Sequence, residues 1–167
     1  MTKDYSKVKI IITDVDGVLT DGGIYTGPNG IVFKKFNVKD GAGVKILKSM
    51  NIDTVIMSSE ADMVNKSILE NRSKKIGIKH CFSSIDDKYK FLLDFMNANH
   101  LHSANIIYIG DDINDLDAMQ LAKYRACPAD AVSEIKKICN IELSKNGGMG
   151  CFRELVDKLS LGLKRND

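Results

Sequence analysis

The sequence predicts an α/β fold: a parallel sheet with helices on both faces and a β-hairpin inserted after the first strand. Three observations predict it. The apolar run Ile10-Ile11-Ile12-Thr13 is rich in β-branched residues and ends at Asp14-Val15-Asp16-Gly17, which reads as a buried strand entering a turn. Short runs of the same kind recur at 53–57, 78–82, 105–109 and 124–127, each separated from the next by a stretch of helical character. No internal repeat, low-complexity stretch or interdomain linker interrupts the 167 residues, so 1–167 reads as one domain long enough to bury a real core.

Taken in order, the first strand is followed by Asp21-Gly22-Gly23 and a hairpin over 23–37. Its two β-rich runs, Ile24-Tyr25-Thr26 and Ile31-Val32-Phe33-Lys34-Lys35-Phe36, are joined by the turn formers Gly27-Pro28-Asn29-Gly30. An isolated ribbon is marginal in water, and this one carries Ile24, Tyr25, Ile31, Phe33 and Phe36, so it is expected to pack on its own domain or on another subunit. Asp40-Gly41 opens a helix to Met50 with Asp40 as N-cap. The strand at 53–57 ends in Ser58-Ser59-Glu60, and a helix over 61–75 exits at Gly77. After the strand at 78–82, Ser84-Ile85-Asp86-Asp87-Lys88 starts a helix to 97. The strand at 105–109 runs into Gly110-Asp111-Asp112-Ile113-Asn114-Asp115 and a helix to Leu121. The strand at 124–127, a helix over 131–138 and a short strand at 141–143 complete the alternation. A mobile glycine loop at 145–150 and an amphipathic helix over 152–163 close the chain. The result is a Rossmann-like sheet, with no insertion long enough to form a separate cap domain.

Composition excludes several classes. Hydrophobic content of 44% and charged content of 28% suit a globular protein rather than a disordered one. The net charge of +2 is spread along the chain, and Lys34-Lys35, Lys74-Lys75 and Lys136-Lys137 read as solvated faces, so nucleic acid is not expected as a partner. Residues 1–9 are polar, with no signal-peptide pattern, and no apolar stretch reaches membrane-spanning length; no membrane partner and a cytoplasmic location are expected. Cys81, Cys127, Cys139 and Cys151 lack Cys-x-x-Cys spacing and read as reduced thiols. Met57, Met63, Met96 and Met119 read as core, and His80, His100 and His102 have no metal-ligand spacing.

The chemistry gathers at strand ends. Asp14 and Asp16, two residues apart where the first strand stops, are expected on one side and repel each other unless a cation compensates. Oxygen ligands of this kind suit Mg²⁺. Ser58, Lys88 and the group Asp111, Asp112 and Asp115 fall after later strands or at helix starts, which a parallel sheet brings to the same edge. Each has a plainer account alone: Ser58 as a helix cap, Lys88 in a surface ion pair, Asp112 and Asp115 as first-turn acids. Together they describe a divalent cation held by Asp14 and Asp111, with Ser58 and Lys88 on the oxygens of an anion. That is a phosphoryl-transfer site with an aspartate nucleophile.

The order Asp-x-Asp-Gly, Ser, Lys, Gly-Asp-Asp-x-x-Asp resembles the haloacid dehalogenase superfamily of phosphohydrolases. Asp14-Val15-Asp16-Gly17-Val18-Leu19-Thr20-Asp21-Gly22, Phe36-Asn37-Val38-Lys39-Asp40-Gly41, Tyr108-Ile109-Gly110-Asp111-Asp112 and Gly147-Gly148-Met149-Gly150-Cys151-Phe152-Arg153-Glu154 narrow the resemblance. They are similar to the capless subgroup of 3-deoxy-D-manno-octulosonate 8-phosphate phosphatases and nonulosonate 9-phosphate phosphatases. The resemblance implies Asp14 as nucleophile, forming an aspartyl-phosphate, and Asp16 as the acid that protonates the leaving alkoxide and then activates water. It implies Ser58 and Lys88 as phosphoryl ligands, and Mg²⁺ held by Asp14, the Asp16 carbonyl and Asp111, supported by Asp112 and Asp115. It further implies a homotetramer built on the hairpins, in which residues 147–153 cover a neighbour's site and Arg153 meets the substrate carboxylate.

One departure bears on the substrate. Octulosonate phosphatases of this group carry Thr-Gly-Arg or Ser-Gly-Arg where this chain has Ser58-Ser59-Glu60. Glu60 resembles the nonulosonate enzymes, so Ser59 and Glu60 are read as substrate contacts and a KDN or N-acylneuraminate 9-phosphate as the favoured substrate. An octulosonate 8-phosphate phosphatase and a silent assembly domain are the alternatives. A response-regulator receiver shares the acid, Ser and Lys inventory, but needs its phosphoacceptor after a middle strand, where Val55-Ile56-Met57-Ser58 offers none.

Overall fold

The computed structural model describes residues 4–28 and 30–163, with the side chains of 30–32 left aside; the expectations for Asn29 in the turn and for the Ile31 side chain fall outside the described residues. In chain order the elements begin β1 (Ile10–Thr13), β2 (Tyr25–Gly27), β3 (Gly30–Phe33), α1 (Val38–Ser49), β4 (Asp53–Met57), α2 (Met63–Ile76) and β5 (His80–Phe82). They continue α3 (Lys88–Ala98), β6 (Ile106–Ile109), α4 (Leu116–Gln120), β7 (Tyr124–Cys127), α5 (Ser133–Ile138), β8 (Ile141–Glu142) and α6 (Cys151–Leu163). Six strands form one sheet in the order β5-β4-β1-β6-β7-β8, all pairs parallel.

β1 is central because it is apolar on both faces: all four of its residues are buried. Ile11 joins the layer made with Val44 and Leu47 of α1, Leu69 of α2 and Phe152, Leu155, Val156 and Leu159 of α6. Ile10 and Ile12 join the opposite layer with Leu92 and Met96 of α3, Met119 of α4 and Ile135 of α5. After β1 the sheet grows first on one side, through β4 and β5, and then on the other, through β6 to β8. The crevice between the carboxyl ends of β1 and β6 is therefore the switch point, where parallel sheets place their ligands. β2 and β3 form the expected ribbon outside this sheet. Among the described residues no helix is long and apolar enough to cross a membrane.

Several local expectations change. α1 starts two residues before Asp40, with Asn37 as N-cap: its Oδ1 accepts from the Lys39 N–H at 3.0 Å. Asp40 is instead buried in the first turn of α1 and accepts the Arg153 N–H at 2.9 Å, so it holds the start of α6. Met63 is 76% exposed rather than core. The glycine loop is not mobile packing: Gly147 and Gly148 are buried, and a side chain on Gly148, at φ +65°, would overlap the backbone at Thr20 and Asp21. α6 supplies five core side chains, of which Phe152, Leu155, Val156 and Leu159 are each worth about 1.5–3 kcal/mol on burial. A chain ending at Ser144 would therefore lose its core before it lost any cover over a site.

Asp40 also sets a pH dependence. Burial pushes its carboxyl up from 3.8 to about 6, against the pull of the Arg153 N–H and Arg72, and its Oδ2 has no partner. The folded chain thus keeps a proton that the unfolded chain releases, and this contribution to stability falls as pH rises from 3.8 to about 6. Asp40→Asn keeps an acceptor for Arg153 and cannot ionise. Urea melts at pH 4 and pH 7 should show the variant gaining about 1–3 kcal/mol on wild type between the two. An unchanged difference would mean that Asp40 ionises normally in the fold.

Candidate active site

Asp14 leaves β1 with its N–H bonded to the Ile109 carbonyl of β6 at 3.0 Å, which ties the two walls of the crevice together. Lys88 is the first residue of α3, next to the N-cap Asp87. Its ammonium is almost wholly buried, 2.8 Å from Asp14 Oδ1 and 2.7 Å from Asp115 Oδ1. Asp115 closes a short 3-10 turn, Ile113–Asp115, that Asp112 caps through the Ile113 N–H. The Tyr108 hydroxyl donates to Asp115 Oδ1 at 2.8 Å, and the Asp111 N–H donates to Asp115 Oδ2 at 3.3 Å. Burial and the facing Asp115 hold the Tyr108 phenol well above its ordinary pKa, so it stays a donor.

Asp14, Asp111 and Asp115 each bring a carboxylate oxygen within 4.8 Å of the others. Burial, then mutual repulsion, raises Asp14 to about 7 and Asp111 to about 8, with Lys88 pulling both back. One ammonium does not balance three carboxylates, and Asp111 Oδ1 is buried without a hydrogen-bond partner. Hard oxygen donors, excess negative charge and an orphaned oxygen fit a divalent cation such as Mg²⁺. Gly17 permits the approach: its φ is +85°, and a Cβ there would overlap the Asp111 carboxylate.

Asp16 has different partners. The chain leaves the strand at Thr13, so the period of two does not carry on, and Asp14 faces Lys88 while Asp16 faces the hairpin. Asp16 Oδ1 accepts from Thr20 Oγ1 at 2.9 Å and Oδ2 from Lys34 Nζ at 2.5 Å. Lys34 is thus no solvated lysine: its side chain is 7% exposed. Ser58 sits buried beyond β4, its Oγ accepting the Glu60 N–H at 3.2 Å, and the cap of α2 is Asp62 instead. Ser59 is exposed. Glu60 borders an open pocket with Asp16, Lys34, Gly22, Gly23 and Phe33. Asp112 is exposed and caps its turn, whereas Asp115, expected only in support, belongs to the carboxylate cluster itself. Arg153 lies on α6, partly exposed, and its Nε donates to Asp157 Oδ1 at 2.7 Å rather than to Glu154.

Three contributors were missed in the sequence: Tyr108, Thr20 and Lys34. Tyr108 is hidden in an apolar strand, where a tyrosine normally reads as core. Thr20 sits four residues after Asp16, a spacing that a tight turn can close. Lys34 had no local signal, because its partner is 18 residues away across a hairpin.

Residues 51–155 match the family of haloacid dehalogenase-like hydrolases. The 3-deoxy-D-manno-octulosonate 8-phosphate phosphatase of Haemophilus influenzae is 35% identical over 159 residues, covering 95% of this chain and 86% of the relative. The enzyme of that name from Escherichia coli is 31% identical over 160 residues, covering 96% and 83%. The cobalt-bound H. influenzae deoxy-D-mannose-octulosonate 8-phosphate phosphatase superposes with a TM-score of 0.88 at 34% identity, over 96% of this chain and 91% of that one. The Moraxella catarrhalis 3-deoxy-D-manno-octulosonate 8-phosphate phosphatase, in complex with magnesium, phosphate and KDO, gives 0.87 at 28% identity, over 95% and 90%.

The crowding makes a prediction with two signs. Asp111→Asn relieves repulsion in the cation-free protein, so that form should melt higher than cation-free wild type, by about 1 kcal/mol or more of added stability. Wild type should gain several degrees on adding millimolar Mg²⁺, and the variant little, because cation binding stabilises only the form that binds. Thermal melts with chelator and with Mg²⁺ check both; an equal Mg²⁺ shift in the two proteins would remove Asp111 from the cation site.

Proposed function

This chain belongs to the haloacid dehalogenase-like hydrolases and is a phosphoric monoester hydrolase, and from that premise we propose that it releases phosphate from a 2-keto-3-deoxy sugar acid phosphate with Mg²⁺ as cofactor. The observation that carries the reading is the Asp14 carboxylate, buried at the end of β1 and aligned by an ammonium at 2.8 Å. Asp14 attacks phosphorus, the ester P–O bond breaks, and an aspartyl-phosphate forms. Asp16 gives its proton to the departing alkoxide and later takes one from the water that hydrolyses the intermediate. Lys88 keeps Asp14 oriented and, with Ser58, offers donors to the phosphoryl oxygens. Asp14 and Asp111, with Asp115 and the Asp16 carbonyl, would hold the cation, which supplies positive charge for the transferring group and keeps Asp14 ionised as a nucleophile. The complete set of carboxylates and ammonium supports a working site rather than a silent assembly domain.

The names of the relatives support 3-deoxy-D-manno-octulosonate 8-phosphate as substrate. The nine-carbon reading keeps one specific observation in its favour: Glu60 lines the pocket beside Asp16, where a carboxylate can accept from the hydroxyl or amide groups of a longer sugar. Phosphate release from a panel of neutral and acidic sugar phosphates tests the proposal. Wild type should require Mg²⁺ and prefer the acidic esters, with the ratio of eight- to nine-carbon substrates deciding between the two readings. Asp14→Asn should lose more than about a thousandfold in kcat while still giving a cooperative melt, which shows that it is folded. Comparable release by that variant would end the proposed mechanism.

The assembly proposed with it is a homotetramer. Ile24 is 76% and Phe33 55% exposed, and the Tyr25 and Phe33 rings stack at 4.9 Å on the ribbon. An apolar ribbon is a poor free surface, and in the subgroup this chain resembles the hairpins associate in fours. Light scattering should give four times the chain mass, and Phe33→Glu should lower it. A monomeric wild type would refute the assembly.

A further inference from the structure

We propose that Lys34 is a specificity-determining residue that trades partners: at rest its ammonium holds Asp16, and on binding it takes the carboxylate of the substrate and releases Asp16 to the leaving oxygen. The inference rests on the sugar acid reading above. Its first ground is that both Asp16 oxygens are engaged, Oδ1 by Thr20 at 2.9 Å and Oδ2 by Lys34 at 2.5 Å. A leaving alkoxide must compete with one of them for an Asp16 oxygen.

The Thr20 contact is the fixed one. Thr20 is 2% exposed, its hydroxyl accepts the Gly22 N–H at 3.3 Å, and its backbone N–H is bonded to the Val15 carbonyl at 2.9 Å. Lys34 follows the end of a two-stranded ribbon, and a lysine ammonium rides on a flexible four-carbon stem. It is the contact that can yield. Asp16 is 40% exposed, and a pair open to solvent on one side is a weak restraint that an entering anion can displace.

The pocket says which anion. Its lining carries two acids, Asp16 and Glu60, and one cation, Lys34, beside Gly22, Gly23, Ile24 and Phe33. An entering carboxylate therefore finds one counter-ion there, and it is the one that restrains Asp16. Arg153, the other candidate for this role, lies on α6 and is not part of this lining. A neutral sugar phosphate brings no such anion and meets Asp16 still tied to Lys34. Recognition of an acid group is thereby coupled to freeing the acid–base residue, which differs from binding the substrate more tightly: it favours the reaction of the right substrate, not only its residence.

The Mg²⁺-loaded enzyme tests this with two alkyl phosphates, 3-deoxy-D-manno-octulosonate 8-phosphate and glucose 6-phosphate. Both have alkoxide leaving groups that need Asp16, and only the first has a carboxylate. Lys34→Met should lose about ten- to a hundredfold in kcat/KM for the acid, mostly in KM, as expected of a lost charge-assisted hydrogen bond. It should gain about two- to fivefold in kcat for glucose 6-phosphate, because Asp16 is no longer tied back. Lys34→Arg should restore most of the KM for the acid, and melting temperatures show that each variant is folded. A parallel loss on both substrates would overturn the exchange, since Lys34 would then hold Asp16 in its working position; no change on either would overturn it as well. A wild type inactive on the acid yet active on glucose 6-phosphate would refute the sugar acid reading, and the exchange with it, by a separate result.

Discussion

The buried ammonium of Lys88 carries the electrostatics of the whole site. It lies between Asp14 and Asp115, at 2.8 and 2.7 Å, where its own side chain is 1% exposed. Burying an ion costs several kcal/mol unless its partners are close and well bonded, and here the partners repel each other. The structure answers with fixed hydrogen bonds: Tyr108 and the Asp111 N–H donate to Asp115, and the Asp14 N–H donates to the Ile109 carbonyl. The remaining excess of negative charge is left standing. Burial first, and this excess after it, raise Asp14 and Asp111, and the excess makes the folded chain a receptor for a small, hard cation. A nucleophile that must be ionised and a cation that ionises it are thus two sides of one charge imbalance.

The sheet delivers these groups, and the C-terminal segment keeps them in place. Asp14 and Asp111 stand at adjacent strand ends because β1 and β6 are neighbours that diverge at the switch point. The turn at 17–21 would be free to drift, but Gly147 and Gly148 press against it, the Gly148 N–H bonds the Val18 carbonyl at 2.9 Å, and Cys151 Sγ meets the same carbonyl. Asn37 reaches the Gly148 carbonyl from the foot of the hairpin, and Asp40 holds the first turn of α6. Two segments far apart in sequence, 37–40 and 147–153, therefore brace the turn that carries Asp16. A glycine-rich stretch reads as mobility in a sequence; packed against another backbone, it is the means of close approach.

What was legible follows from how local each signal is. The strands, their alternation with helices, the hairpin and the set Asp14, Lys88 and Asp111 were readable, because apolar runs and strand-end position are local properties. Helix starts were misread where a side chain had a better partner elsewhere: Asp40 suits an N-cap by type, but Asn37 took that role and Asp40 went to α6. Arg153 was read as a partner for a substrate carboxylate; within the chain its nearest acid is Asp157, one turn on. Asp16 was found but its partners were not, since Thr20 and Lys34 reach it only after a turn and a hairpin have closed. Pairings set by tertiary closure leave no periodic trace, and the pattern rules have nothing to act on there.

The two halves of the site rest on different kinds of structure. Asp14, Lys88, Tyr108 and Asp115 are buried on the ends of sheet strands and on turns and helix starts wedged beneath them, where packing leaves little room for change. Asp16, Lys34 and Glu60 stand on the turn, the ribbon and the loop after β4, partly open to solvent. On the proposed reading the first group serves any phosphate monoester and the second faces whatever the phosphate is attached to, so substitution in the second can alter the sugar without disturbing the charge balance around Asp14. Asp16 belongs to both, through its place two residues after Asp14 and its bond to the hairpin. Ser58 joins them as well, since its hydroxyl accepts the Glu60 N–H. Coupling between recognition and chemistry has these two residues to pass through.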